Sequence, residues 1–204
     1  MKKLGYLLPI LVIALMLGGT AFAQDPGDSS YYFVTYYSNA NTSGAPDGTL
    51  RIINDGDYST TEVEGVPNGN LSADIYVFDD SQELQECCSC LVSPDGLLSE
   101  SVNKELTANE LTGRAETSRG VIKVIGDRYP GDPTDPAEIA GLRGFMTHIQ
   151  AGATKTAFAI TETPLADSNL SSAEAEALGQ LCSFAITLGS GFGTCSCTPE
   201  DHDF

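Results

Sequence analysis

Six cysteines in two groups of three constrain the fold of this 204-residue chain more than any other feature. The first group occupies the string CCSC and the second lies near the C-terminus, and the members are Cys87, Cys88, Cys90, Cys182, Cys195 and Cys197. Bonds between cysteines this close in sequence are strained, so disulfides between the two groups are favoured. Several pairings satisfy this condition, and the sequence leaves the choice among them open.

A zinc site is the alternative use of these cysteines. Cys87-x-x-Cys90 together with Cys195-x-Cys197 would supply four thiolates. Such a site needs reduced thiols and leaves two cysteines without a role. An exported protein meets an oxidising environment, so for an exported chain we expect three structural disulfides.

The N-terminus has the three parts of an export signal. Two lysines are followed by the apolar run Leu4–Leu17 and by Ala21–Ala23, a small-x-small cleavage sequence. These parts predict a cleavable signal peptide over residues 1–23, because the apolar run is too short for a spanning helix. The remainder, 24–204, has no apolar run of spanning length and is expected to be a single secreted, extracellular or cell-envelope domain.

The expected mature chain is strongly acidic. Removing the signal peptide leaves eight basic against 28 acidic residues, a net charge of −20. Nucleic-acid binding is disfavoured because it needs clustered lysine and arginine, and anionic membrane surfaces are disfavoured for the same reason. The charge suits solubility and the binding of divalent cations.

Short β-rich runs alternate with clusters of Gly, Pro, Asn and Asp through most of the chain. This pattern predicts a mainly β fold, a two-sheet antiparallel β-sandwich of about seven strands with one C-terminal helix. The predicted strands are Tyr31–Tyr37, Thr49–Asn54, Ala73–Phe78, Leu97–Asn103, Val121–Ile125, Leu142–Gln150 and Thr156–Glu162.

The C-terminal helix is predicted over about residues 171–189. Ser171 followed by Glu174 forms a capping box, apolar residues then recur at helical spacing, and a glycine ends the pattern. Asp80 with Glu83 is a weaker capping pattern, which predicts a short helical turn leading into the first cysteine group.

Acidic residues next to predicted strands are candidate metal ligands. Asp55 and Asp57 follow the second strand, and Asp79 and Asp80 follow the third. Turn or cap chemistry is the ordinary interpretation of such residues, and calcium coordination is the functional alternative. The loop Asp127–Glu138 is a further candidate for calcium. No other cofactor is expected.

The sequence contains no recognisable catalytic motif. The two histidines are His148, inside a predicted strand, and His202, near the end, and neither lies in a general-base or metal-ligand motif. A histidine inside a strand is more often a packing residue. We therefore expect a non-enzymatic protein. A hydrolase that uses dispersed carboxylates is the least favoured of the functional hypotheses.

Asn41, Asn70 and Asn169 each begin a sequence that fits the N-glycosylation pattern. The pattern is common by chance, and it has meaning only in a host that glycosylates asparagine. It leaves glycosylation of these three residues open.

Five strings together resemble a group of uncharacterised secreted bacterial proteins with a CCxC motif and a C-terminal GSGxGxCxC motif. They are FDDSQELQECCSC, SPDGLLSESVNKELTANEL, GVIKVI, THIQ and LCSFAITLGSGFGTCSC. The similarity covers most of the chain after the signal peptide. It implies a bacterial envelope or extracellular location and structural cysteines, and because that group has no known activity it implies no site residues.

These observations favour a secreted, non-enzymatic structural, cell-surface or extracellular-matrix protein. Self-assembly is suggested by Tyr31–Tyr37, which has aromatic side chains on both faces. This segment is either an ordinary first strand of its own sandwich or a strand that completes the sheet of a neighbouring copy in a fibre. An extracellular binding module for calcium or a glycan is the alternative function.

Overall fold

The structure is a computed structural model that describes residues 31–39, 44–58, 69–111, 118–154 and 156–197. The signal peptide, Asn41 and His202 lie outside the described residues. Within these ranges the chain forms nine β-strands, one α-helix and one short π-helical turn.

The strands are β1 Tyr32–Ser38, β2 Thr49–Asn54, β3 Leu71–Asp79, β4 Leu84–Val92, β5 Leu97–Ser101, β6 Arg119–Arg128, β7 Leu142–Ala151, β8 Phe158–Pro164 and β9 Ala166–Asp167. The π-helical turn Val102–Leu106 follows β5, and the helix α1 spans Ser172–Thr187. All seven predicted strands are present with small shifts at their ends, whereas β4 and the two-residue β9 were not predicted.

The strands form two antiparallel sheets, which confirms the predicted sandwich. One sheet has the order β4-β3-β6-β1-β9 and the other the order β5-β2-β7-β8. Alternate residues of β3 contribute to the core between the sheets, namely Leu71, Ala73, Ile75 and Val77. Residues such as Tyr76 point to the opposite face, where a second apolar cluster lies under α1. The five-stranded sheet is therefore buried on both faces.

The helical turn predicted after Asp80 is wrong, because the chain there makes a hairpin turn between β3 and β4. The carboxylate of Asp79 accepts hydrogen bonds from the backbone N–H groups of Ser81 (2.8 Å) and Glu83 (3.0 Å). Gln82 adopts a left-handed φ of 69°. An Asp that satisfies nearby N–H groups can begin a helix or close a turn, and here it closes a turn.

The three cysteines of CCSC lie on β4, and strand geometry separates them onto two faces. Successive side chains of a strand point to opposite faces, so Cys87 faces outward while Cys88 and Cys90 face the core between the sheets. The predicted pairing between the groups is present, with Cα–Cα distances of 5.8, 5.4 and 5.4 Å in Cys87–Cys182, Cys88–Cys195 and Cys90–Cys197.

The helix α1 covers the outer face of the five-stranded sheet. Its buried face contains Leu178, Gly179, Cys182 and Ala185. The Ser171 hydroxyl accepts a hydrogen bond from the Glu174 N–H (3.2 Å), as the capping pattern predicted. The bond from Cys182 to β4 then fixes the middle of the helix on the sheet.

The segment after α1 covers the open edge of β4. The Cys87 N–H donates to the Gly193 carbonyl (3.0 Å), and the Cys195 N–H donates to the Cys87 carbonyl (3.3 Å). These bonds form a short parallel bridge between Cys87 and Thr194. An edge strand with unpaired backbone groups is a template for other strands, so the tail protects this edge.

No helix in the described part of the chain is long and apolar enough to cross a membrane. This finding and the three disulfides are compatible with an extracellular location.

Replacing both Cys87 and Cys182 with Ala should loosen α1 while leaving the sandwich folded, since the other two disulfides lie on the opposite face of β4. We predict a loss of about 2–4 kcal/mol in the free energy of unfolding. Hydrogen exchange of the α1 amides should become faster.

The matched control replaces Cys90 and Cys197, which should leave the protection of α1 nearly unchanged. Equal exchange rates in α1 for wild type and the Cys87→Ala/Cys182→Ala variant would contradict the role assigned to this bond.

Candidate functional site

The structure does not bring the four predicted calcium ligands together. Asp55 and Asp57 follow β2. Asp55 and Leu71, the first residue of β3, both lie next to Gly141, so Asp55 is near the start of β3. Asp79 ends β3 and Asp80 follows it. A nine-residue strand is roughly 26 Å long, so the two pairs lie at opposite ends of β3.

Each pair has local partners instead. The Asp55 carboxylate accepts a hydrogen bond from the Asp57 N–H (3.2 Å) and lies 3.6 Å from the Arg143 guanidinium. The Asp80 carboxylate is 2.9 Å from the Arg119 guanidinium. These contacts are a hydrogen bond within a turn, a largely buried ion pair at Asp55 and a surface ion pair at Asp80, and calcium binding at these residues stays a prediction.

The cysteines of the alternative zinc site are all oxidised. The sulfur atoms of Cys88, Cys90 and Cys197 lie within 4.8 Å of one another, beside the core between the sheets. Each belongs to a disulfide, and the described residues include no free cysteine. Zinc binds thiolates, so this sulfur cluster offers it no ligand in the folded, oxidised chain.

His148 is a packing residue. It is fully buried, its ring stacks on Tyr36 at a centroid distance of 4.0 Å, and its Nε2 atom is 2.9 Å from the Thr163 hydroxyl. Burial lowers the pKa of His148, which keeps the imidazole neutral. The hydrogen-bond partner of His148 among the described residues is the Thr163 hydroxyl. A catalytic triad needs a carboxylate bonded to the histidine, and His148 has none among these residues.

Sequence reasoning named Asp127 only as the first residue of a candidate loop, and it missed other buried carboxylates, among them Asp74 and Glu86. Asp74 on β3 and Glu86 on β4 are 0 % exposed, and Asp127 on β6 is 3 % exposed. Burying a carboxylate is unfavourable unless it is hydrogen-bonded, paired or protonated. An acidic residue inside an apolar run, as Asp74 is in LSADIYVF, is the signal that could have identified the first of them.

Asp127 organises the loop that follows it. Its carboxylate accepts hydrogen bonds from three backbone N–H groups, those of Arg128, Asp132 and Ala137. The Tyr76 hydroxyl donates to the Pro133 carbonyl (2.8 Å), which holds the same loop against the sheet. The loop Asp127–Glu138 is therefore anchored from the sheet beneath it.

Asp74 lies on the outer face of the five-stranded sheet, directly across from Ser89 on β4. Burial raises the pKa of Asp74 to about 8, the Ser89 hydroxyl opposes this rise, and the charges of Asp127 and Asp132 add to it. Although Ser89 is near enough to affect this pKa, neither Asp74 oxygen makes a hydrogen bond of normal geometry within the described ranges.

Glu86 points from β4 toward the segment that precedes β6. Its Oε1 atom accepts a hydrogen bond from the Asn109 N–H at 2.5 Å. Burial raises the pKa of Glu86 to about 7, the Asn109 N–H opposes this rise, and the charge of Glu110 adds to it. The folded state therefore binds a proton at Glu86 more tightly than the unfolded chain does.

A polar groove lies between this loop and α1. Its volume is about 580 Å³, and its lining includes Thr134, Asp135, Glu138, Glu176, Gln180 and Ser183. The lining has hydroxyl, amide and carboxylate groups but no aromatic side chain.

Of the glycosylation candidates, Asn70 is 8 % exposed and Asn169 is exposed just before α1. A glycan needs an accessible side-chain amide, so the structure disfavours Asn70 and leaves Asn169 accessible.

The raised pKa of Glu86 predicts a pH-dependent stability. Because the pKa is higher in the folded state, the free energy of unfolding should fall as pH rises from about 4.5 to about 7. The Glu86→Gln variant removes this titration. The change in its free energy of unfolding over this pH range should therefore be smaller than in the wild type, by on the order of a few kcal/mol.

Urea denaturation between pH 4 and 8 measures this difference. Glu83→Gln is the matched control, because Glu83 is exposed in the hairpin turn. Parallel pH profiles for wild type and Glu86→Gln would refute the assignment.

Comparison of the chain with protein-family models, with curated proteins and with solved structures found no match.

Proposed function

We propose that this protein is an exported, non-enzymatic structural protein of the cell surface or extracellular matrix, which associates with neighbouring copies by β-strand pairing. The signal sequence, the acidic composition and the three disulfides support export. The four-stranded sheet ends in two edge strands, β5 and β8, and β8, the longer of the two, supports association through strands.

The observation that carries this proposal is the state of β8. Within the described ranges, β8 pairs with β7 and with no other strand. All seven of its residues are exposed. The edge of β4, in contrast, is covered near its middle, where the tail forms the Cys87–Thr194 bridge. Natural proteins usually shield long edge strands, so an exposed one of seven residues is a candidate for strand pairing with another chain.

The side chains near this edge are also suited to a contact. Phe158 and Ile160 point to the same face of β8 and are 37 % and 53 % exposed. Phe145 on the neighbouring β7 is 37 % exposed, and its register partner is Pro164. Phe158 and Ile160 form a small apolar surface, which a second sheet edge could cover as backbone hydrogen bonds form, whereas Phe145 is separated from them by the Thr147–Glu162 pair.

The partner that we propose for β8 is β8 of a second copy. Two copies of the same strand can pair antiparallel about a two-fold axis. If one residue of the first copy contacts a given residue of the second copy, the reciprocal contact is also made. The expected net charge of −20 on each copy opposes this contact, and salt screens that repulsion. Association should therefore strengthen as ionic strength rises.

Self-assembly through Tyr31–Tyr37 needs an exchange of strands. Most of this segment lies in β1, which pairs with β6 over seven residues and buries Tyr32, Phe33 and Tyr37. A neighbour's segment would replace β1 and recover the same contacts, as in domain swapping. Because β1 and β2 belong to different sheets, exchange of β1 would leave the strand order of the four-stranded sheet unchanged.

Calcium or glycan binding is the second candidate function, and the polar groove beside α1 favours it. The four carboxylates predicted for calcium are separated, so a cation site at another position is required.

Introducing lysine at both Phe158 and Ile160 should prevent pairing through β8 and leave the fold intact, since both residues are exposed. We expect wild type to form dimers or larger assemblies at high salt and the double variant to stay monomeric by light scattering. Phe184→Lys is the control, because Phe184 is 60 % exposed on α1, outside this edge. Unchanged assembly in the double variant would exclude the β8 contact.

A cysteine trap distinguishes strand exchange from pairing at β8. Tyr36 and Val121 are register partners on β1 and β6, so Tyr36→Cys with Val121→Cys should form an intermolecular disulfide only if β1 is exchanged. The control Phe78→Cys with Val121→Cys joins β3 to β6 within one copy in either case. A covalent ladder for the first pair alone on non-reducing gels would establish exchange, and monomers for both would exclude it.

A further inference from the structure

We propose that the exposed ring of Tyr36 is a stacking platform for a neutral sugar residue of a polysaccharide, with Gln150, Thr161 and Thr163 as the polar groups around it. This inference rests on the glycan-binding alternative above, and it gives that alternative a location different from the polar groove beside α1. It is independent of association through β8.

The Tyr36 ring is held with one face covered and the other open. It stacks on the imidazole of His148 with the ring centroids 4.0 Å apart and the ring planes 14° apart. His148 is fully buried, whereas Tyr36 is 50 % exposed. Because the stacking covers one face of the Tyr36 ring, the exposed half of the side chain is the opposite face, which is open to solvent.

Contacts from three strands fix the position of this ring. Tyr36 belongs to β1, whose backbone pairs with β6 over seven residues. The Nε2 atom of His148 on β7 is 2.9 Å from the Thr163 hydroxyl on β8. The Gln150 side-chain amide, also on β7, donates to the Tyr36 hydroxyl at 3.4 Å. A platform that is already ordered loses little conformational entropy when a ligand binds.

Hydroxyl and amide groups surround the platform. Thr161 is the register partner of His148, so the two side chains lie on the same face of the four-stranded sheet. Thr163, two residues further along β8, lies on this face as well. Both threonines are exposed, and Gln150 is half-buried. Hydroxyl and amide groups can both donate and accept hydrogen bonds, so they can bind a ligand that has many hydroxyl groups.

This combination of groups selects a sugar as the ligand. A pyranose ring has a face of C–H groups, which can pack on an aromatic ring, and an edge of hydroxyl groups, which can form hydrogen bonds. The lining of the polar groove beside α1 has no aromatic side chain, so that groove lacks the stacking surface.

The charge of the protein narrows the class of polysaccharide. The side chains of Tyr36, Gln150 and the two threonines are uncharged, whereas the expected mature chain has a net charge of −20. Repulsion therefore disfavours acidic polysaccharides and nucleic acids, and it leaves neutral polysaccharides unaffected.

The test uses residues 24–204, the chain expected after signal cleavage, in native gels that contain a soluble polysaccharide. The neutral probes are dextran, laminarin and xyloglucan, and polygalacturonate is the acidic comparison. We expect at least one neutral probe to retard the protein and polygalacturonate to leave its mobility unchanged. Retardation by polygalacturonate alone, or by none of the probes, would overturn the proposal.

Variants at Tyr36 test the stacking. Tyr36→Ala removes the ring and should weaken binding by about tenfold. Tyr36→Phe keeps the ring and removes the hydroxyl, so it should retain most of the affinity. Equal retardation of Tyr36→Ala and wild type would overturn the role of the ring.

A second variant keeps the test decisive if Tyr36→Ala does not fold after His148 is uncovered. Thr161→Lys places a long side chain in the site and leaves the stacked pair intact, and it should fold because Thr161 is exposed. It should weaken binding at least as much as Tyr36→Ala. Thr187→Lys is the matched control, because it adds the same charge at an exposed position of α1, and it should bind as wild type does. Equal retardation of Thr161→Lys and Thr187→Lys would overturn the site.

A variant in the polar groove separates this site from glycan binding in general. Gln180→Lys changes the lining of the groove beside α1 and should leave retardation unchanged. If Gln180→Lys abolished retardation and Thr161→Lys did not, the glycan would bind in the groove, and the site at Tyr36 would be wrong. If wild type were not retarded by any probe, glycan binding as a function would be refuted together with the site.

Discussion

The side-chain alternation of β4 determines how the layers of this protein are joined. Cys87 and Cys88 are adjacent in sequence, yet in a strand they must point to opposite faces. Cys87 therefore bonds to α1 on the outer face, and Cys88 and Cys90 bond to the tail on the inner face. Each bond closes a loop of 95 or 107 residues, so the C-terminal elements are covalently fixed to a strand in the first half of the chain.

This arrangement explains why the five-stranded sheet can be buried on both faces. One face packs on the second sheet, and the other is covered by α1 and by the loop that Asp127 organises. Polar side chains beneath that cover are separated from water, and this separation raises the pKa of Asp74 to about 8. Among the described residues, no element covers β8, the last strand of the second sheet.

The periodic part of the fold could be predicted from the sequence, since alternation, turn residues and the capping box are local signals. β4 was missed because LQECCSCLV contains three polar residues, Gln85, Glu86 and Ser89, and follows an Asp–Glu pattern that is also typical of helix starts. Bonding between the two cysteine groups was predicted from the cysteine spacing. The choice of partners depends on the face of β4 to which each cysteine side chain points. The placement of Asp74 beside Ser89 and near Asp127 could not be predicted, because it depends on the register of three strands, which long-range packing determines.

The central claim is that β4 directs Cys87 to one layer and its neighbours to the other, and mapping the disulfides of the native protein tests it most directly. The protein is digested without reduction, and the linked peptides are fragmented between Cys87 and Cys88 in a mass spectrometer. The account predicts Cys87 linked to Cys182, Cys88 to Cys195 and Cys90 to Cys197. Linkage of Cys88 to Cys182, or of Cys87 to either cysteine of the tail, would contradict it.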